Sequence, residues 1–159
     1  IRFLIRDLTL AFKSRDPAGV IQVFQEVLAP IPYDDYVAAT RKTFESLYKV
    51  DYGEFLYRAV LLSFLDLIGL TPKAEVHSSR GRSDLEFTTN EGQVWVMELK
   101  ICRKDGEDES LAEAALNQII AKGYGDRHKN PVLLGVAIND NERAITAWRV
   151  KGLSTPNAR

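Results

Sequence analysis

Cysteine is nearly absent from this chain: Cys102 is the only one in 159 residues. That excludes an internal disulfide framework and a four-cysteine zinc site, and it fits a reducing compartment such as the cytoplasm. Histidine is almost as scarce. His77 and His128 sit in or beside loops with no second ligand at metal spacing, so a zinc centre is not expected. Long uncharged apolar runs are also missing. The opening IRFLIRDLTLAFKS carries charges through its apolar stretch, which fits neither a signal peptide nor a membrane span, and no membrane partner is expected. Nor is there an excess of charge of one sign. With 21 basic and 22 acidic side chains the formal net charge is -1, so any anion-binding surface must be a local patch. The only methionine is Met97 and none opens the chain, which reads as a piece of a longer protein.

What is present is 45% apolar residues, enough for the core of one domain. The first third predicts helices. Phe3, Leu4, Leu8 and Leu10 open an apolar face that Val20, Ile21, Val23, Phe24, Val27 and Leu28 continue, with Ser14, Asp16 and Pro17 between them. A further segment begins at Pro30 and Pro32 and draws on Tyr36, Val37, Phe44, Leu47 and Tyr48. A longer helix follows from about Tyr52 to Ile68, capped by Gly69 and apolar nearly all round. After Pro72 the pattern changes to strands over Ala74 to His77, Asp84 to Thr88 and Val94 to Ile101, joined as hairpins. The third, VWVMELKI, is continuously apolar and belongs at the centre of a sheet covered on both sides. Ser110 with Glu113 reads as a capping box opening a helix that runs to about Gly123, with Ala112, Ala115, Leu116, Ile119 and Ile120 on one face. Strands at Pro131 to Ile138 and Ala144 to Val150 complete the order. A helix between strands demands a parallel or mixed pairing, so the class is α/β, a mixed sheet flanked by helices. The expected division is a helical segment at 1–51 packing on the core, the core at 52–153 and a flexible tail at 154–159.

Glu98 and Lys100 interrupt the most apolar strand at i and i+2, which puts both on one face, while Met97, Leu99 and Ile101 point to the other. A central strand has no reason to hold such charges unless they are paired or ligate something, because an isolated buried charge is very costly. Asp84 breaks the preceding strand in the same way, and a hairpin through Asn90 to Gly92 brings it toward Glu98. Two carboxylates beside a cation form a hard-metal site suited to Mg²⁺, with Mn²⁺ as a substitute. Lys100 would then position water or offset phosphoryl charge. The alternative reading is a structural salt bridge among the same three residues.

The segments GRSDLEF, VWVMELK and ALNQIIAKGYGD resemble the PD-(D/E)XK nuclease superfamily, in particular the nuclease-like domain found C-terminal to AAA-type ATPase domains. The resemblance spans roughly Tyr52 to Val150. It implies a restriction-endonuclease-like core with extra N-terminal helices, a metal held by Asp84 and Glu98, and catalysis involving Lys100. It also assigns site roles to Gln118 on the following helix, Glu54 on the helix before the sheet, Arg82 and Tyr124. The proline of the superfamily name is replaced here, since Ser83 precedes Asp84. From the residues alone, Gln118 also reads as a solvent-facing amide, Glu54 as a first-turn carboxylate favoured by the helix dipole, and Tyr124 and Trp148 as core aromatics. Cys102 reads as packing.

Basic residues gather before Asp84 (Lys73, His77, Arg80, Arg82), after Glu98 (Lys100, Arg103, Lys104) and at the end of the helix (Lys122, Arg127, His128, Lys129). Around one cleft they would form a phosphate-binding rim; otherwise they are solvated loop charges. Two functions follow. One is a metal-dependent phosphodiesterase acting on DNA. The other is an inactive nuclease-fold module that binds or regulates an attached ATPase domain. The apolar N-terminal helices leave a homo-oligomer open as well.

Overall fold

The computed structural model describes residues 2–29, 42–43, 46–47, 52–78 and 81–153. Helix α1 spans Arg2–Lys13, α2 Pro17–Leu28 and α3 Tyr52–Leu67; they precede strands β1 (Lys73–Ser78), β2 (Gly81–Thr88) and β3 (Val94–Cys102). Helix α4 (Asp108–Lys122) then leads to β4 (Val132–Asn139) and β5 (Ala144–Lys151). The segment expected between Pro30 and Tyr48 lies outside the described residues except for helical pieces at 42–43 and 46–47, and the tail from Ser154 lies outside them too.

The strands form one sheet in the order β1-β2-β3-β4-β5. Neighbours are antiparallel except β3 and β4, which run parallel because α4 carries the chain back over the sheet between them. β3 is the central strand, as its apolar texture predicts. Its two faces differ. Trp95, Met97 and Leu99 join Leu85, Phe87, Leu134, Val136 and Ile138 in the main core beneath α1, α2 and α3. On the opposite face α4 packs, with Val96, Ile119 and Tyr124 in one small cluster and Ala112, Ala137 and Ala147 in another.

That second face is built for close approach. A side chain at Gly135 would run into the Leu116 nitrogen and the Ala112 carbonyl oxygen, so the backbone of α4 rests on β4 there. Gly135 and Ala137 are also the β4 neighbours of Glu98 and Lys100. The smallest residues of β4 thus lie beside the two charges of β3, leaving room for their side chains under α4.

Three local expectations change. In α1 the face that packs on the core is Leu4, Leu8, Ala11 and Phe12, whereas Phe3 and Leu10 are 70% and 62% exposed. Helix α3 buries one face, with Tyr57, Leu61, Phe64 and Leu65, rather than its whole circumference; Leu67 is 68% exposed. Helix α4 starts at Asp108, before the expected box, and Ser110 Oγ donates to the Glu107 carbonyl instead of capping. The reason is tertiary: the Cys102 thiol shares its one proton between Asp108 Oδ1 at 2.8 Å and the Lys104 carbonyl at 3.0 Å, fixing the first turn to the end of β3. The other termini follow local rules. Asp16 caps α2 by accepting from the Gly19 N–H at 3.1 Å, with Pro17 in the first turn, and Gly123 closes α4 in the left-handed conformation at φ 63°.

Candidate active site

Asp84 and Glu98 meet where β2 and β3 separate. The backbone ladder between these strands ends at Leu85 opposite Met97. Beyond it the carboxylates take over the strands' own donors. Leu99 N–H donates to Asp84 Oδ2 at 2.8 Å, and Asp84 N–H donates to Glu98 Oε2 at 3.3 Å. Each acid is therefore fixed by the neighbouring strand, and both are buried, at 7% and 4% exposure.

Helix α4 supplies the next contact. Gln118 donates from Nε2 to Glu98 Oε1 at 2.6 Å and accepts from Lys100 Nζ at Oε1, also 2.6 Å. A side-chain amide can do both at once, donating from its nitrogen to an acid and accepting at its oxygen from an ammonium. Lys100 Nζ lies 4.0 Å from Glu98 Oε1, so Gln118 rather than direct contact sets its position. Helix α3 supplies the last: Arg58 Nη1 donates to Asp84 Oδ1 at 3.2 Å.

Burial sets the electrostatics first, and the crowding of acids around Glu98 comes second. Burial, followed by the charge of Asp84, pushes Glu98 up to about 8; Lys100 and the Asp84 N–H act against this, and Glu54 adds to it. Burial also raises Asp84, opposed chiefly by the Leu99 N–H and Arg58. Two adjacent buried acids that retain a proton are a site that further positive charge would relieve. Among the described residues no group of three or more His, Cys, Asp and Glu side chains gathers at ligand spacing. The donor set is thus two carboxylates, which fits a hard cation that keeps several waters and does not fit a closed cage.

Asp84, Glu98, Lys100 and Gln118 therefore come together, and Glu54 lies near enough to act on Glu98. The expected rim does not assemble in full. Arg103 is half exposed and pairs with Asp140 at 3.9 Å, Lys104 is exposed, and the side chains of Arg80 and Arg82 lie outside the described residues. Tyr124 is a core residue at 5% exposure, packed against Val96 and Ile119, because the turn after α4 folds it under the helix. Lys129 belongs elsewhere: with Lys13, Arg15, Gln93 and Asn130 it lines a cleft of about 360 Å³ at the opposite end of the strands. Arg127 and His128 bind Glu86, two residues along β2 from Asp84.

Arg58 is the site residue that sequence reasoning misses. Its signal is present all the same: it is the only basic residue of α3, and it stands one turn after Glu54, hence on the same helix face.

The family model of the PD-(D/E)XK nuclease superfamily matches residues 52–148, from the start of α3 into β5. This chain belongs to that superfamily. No curated protein and no solved structure matches it. Its five-stranded mixed sheet with flanking helices is consistent with the restriction-endonuclease-like fold, and members of the superfamily typically use divalent metals. Among the described residues no helix is long and apolar enough to cross a membrane.

Proposed function

We propose that the chain is a metal-dependent phosphodiesterase acting on DNA, with Asp84 and Glu98 holding Mg²⁺, or Mn²⁺ in its place. The observation that carries this reading is the Gln118 bridge, which fixes Lys100 beside a pair of under-compensated acids. A structural salt bridge needs no such intermediary, whereas a catalytic ammonium must be held at a set distance from the reacting group. A bound divalent cation would supply Lewis acidity and a more acidic water. The chain's own residues do the rest. Asp84 and Glu98 present oxygens from adjacent strands. Lys100, its side chain 30% exposed, would offer an ammonium to a phosphate entering the site. Gln118 keeps that ammonium from collapsing onto Glu98, and Glu54 adds negative charge that raises the site's demand for positive charge.

One observation favours a second reading, a binding or regulatory module attached to an ATPase domain. All four oxygens of Asp84 and Glu98 already accept a hydrogen bond, from Arg58, Leu99, Gln118 and Asp84 N–H. The two readings separate at Lys100. If it offsets charge that develops only in the transition state, Lys100→Ala should leave DNA binding in Ca²⁺ nearly intact and slow single-turnover cleavage in Mg²⁺ or Mn²⁺ by about 10²-fold or more. Single-stranded, double-stranded and branched DNA are the substrates to test. A folded variant that cleaves as fast as wild type removes the catalytic role, and a wild-type protein that binds DNA without cleaving any form favours the module.

A further inference from the structure

The positive charges at the site are not equivalent. Lys100 is engaged by Gln118 and stays 4.0 Å from the nearest oxygen of Glu98, while Arg58 makes direct contact with Asp84 at 3.2 Å. Arg58 is also well buried, its side chain 17% exposed, and it comes from a helix whose backbone is firmly seated. Its neighbour Tyr57 is 2% exposed and donates its hydroxyl to Asp140 Oδ1 at 3.2 Å, and Leu61 one turn on is fully buried. The guanidinium is therefore presented to Asp84 from a fixed anchor.

Of the two cations near the acids only Arg58 touches one directly, while Lys100 stays 4.0 Å from Glu98 and Glu54 adds negative charge nearby. A divalent cation reaching both acids would meet the guanidinium on Asp84, and like charges at such a distance repel strongly. Lysine could relieve this by losing a proton; arginine remains charged at any pH a protein meets. The guanidinium must yield its place or weaken the metal's hold.

We propose that Arg58 is a counter-cation built into the site, which neutralises Asp84 in the metal-free protein and competes with the divalent metal for that carboxylate. Its charge thereby sets how readily the site loads. This inference rests on the reading of Asp84 and Glu98 as metal ligands. It assigns Arg58 two effects of opposite sign: it stabilises the metal-free fold and it lowers metal affinity. A merely structural arginine would have the first effect without the second.

The test is calorimetric titration of metal-free protein with Mn²⁺, for wild type, Arg58→Gln and Arg58→Lys, alongside urea unfolding in EDTA. Arg58→Gln keeps a shorter, neutral donor and removes the charge. It should bind Mn²⁺ at least about tenfold more tightly, the lower end of what a residue behind a metal ligand commands, and unfold at lower urea. Arg58→Lys keeps a cation that can lose its proton to the metal, so its affinity should fall between those of wild type and Arg58→Gln. A variant-independent measurement is the Arg58 Nε–H resonance in the wild-type NMR spectrum, which should move on titration with Mg²⁺. Wild-type uptake of Mn²⁺ with equal or weaker uptake by Arg58→Gln overturns this inference alone, as does an unmoved Arg58 resonance in the Mg²⁺-bound protein. No uptake by any of the three overturns the metal-site reading together with it. Uptake by Arg58→Gln where wild type shows none supports both.

Discussion

Two buried carboxylate centres lie on the same face of the sheet, two residues apart along β2, and they are neutralised in different ways. Glu86 receives Arg127 Nη2 at 2.8 Å from each of its oxygens and has His128 Nε2 at 2.7 Å. Asp84 and Glu98 share one guanidinium, one more distant ammonium, an amide and two backbone N–H groups. The first centre has a guanidinium bound through both oxygens of one acid, and hydrogen bonds between ionised partners are the strong kind. The second has two mutually repelling acids whose donors are mostly neutral. Burial alone therefore does not mark the functional acid, since both centres are buried. What separates them is whether the fold itself supplies enough positive charge.

The sharpest way to break this comparison is pH. Glu98 rises from 4.5 to about 8, so the folded protein holds a proton that the unfolded chain releases. Stability from that proton is fully present below about pH 4.5 and is lost as pH rises through about 8; Asp84, also raised, acts in the same direction. Each pH unit across which only the folded state keeps the proton is worth about 1.4 kcal/mol, so metal-free wild type should lose several kcal/mol between about pH 5 and 9 relative to Glu98→Gln. Urea unfolding of both proteins across that range measures it. Parallel curves would show that the site is compensated already, and the contrast with Glu86 would fall. Because a metal must expel the same proton, Mg²⁺ should stabilise more as pH rises.

Next in size is metal affinity. Neither acid alone neutralises a divalent cation, so Asp84→Asn and Glu98→Gln should each weaken Mg²⁺ or Mn²⁺ binding by about 100-fold or more, beyond the ~10–100-fold of a residue behind a ligand. Glu86→Gln should leave it near wild type. Calorimetry that finds the Glu86 variant as impaired as the other two would relocate the site along β2.

How much of this is legible in the sequence depends on whether a residue acts within its own element. Asp84, Glu98 and Lys100 are readable because strand alternation has a fixed period and the turn from Asn90 to Gly92 fixes which strands meet. The parallel pairing of β3 with β4 is readable from the intervening helix. Gln118 stands out only through the resemblance, since on its own helix it is an ordinary amide, and its value comes from Gly135 letting α4 down onto the sheet. Arg58 escapes notice because it reaches from a helix to a gap between strands, and no periodicity encodes such a reach. The start of α4 is misplaced for a similar reason, as the Cys102 contact with Asp108 overrides the local capping pattern. Hydrophobicity alone assigns Phe3 and Leu10 to the core, while Ala11 and Phe12, in phase with Leu4 and Leu8, are the residues that pack.

The smallest effect is expected at the compensated centre, and it bears on the comparison from the other side. Arg127→Met leaves Glu86 buried, at 5% exposure, with His128 still beside it. Breaking a fully buried pair by removing one partner costs about 3–5 kcal/mol. Arg127 is 44% exposed, so water screens it and fills part of its place when it is gone, and a loss of about 1–2 kcal/mol is the appropriate scale. Urea unfolding at neutral pH reads that loss directly. The same variant should bind Mn²⁺ as wild type does and, on the proposed activity, cleave at the same single-turnover rate. Arg127 holds Glu86, whereas the oxygens of Asp84 and Glu98 are held by Arg58, Leu99, Gln118 and the Asp84 N–H. A drop in metal affinity without a drop in stability would mean that Arg127 and His128 serve the reactive acids after all, and that the two centres form one extended site along β2. A drop in stability with chemistry untouched would establish Glu86 as the point that fastens the 123–130 turn to the sheet, leaving Asp84 and Glu98 as the carboxylates the fold keeps short of positive charge.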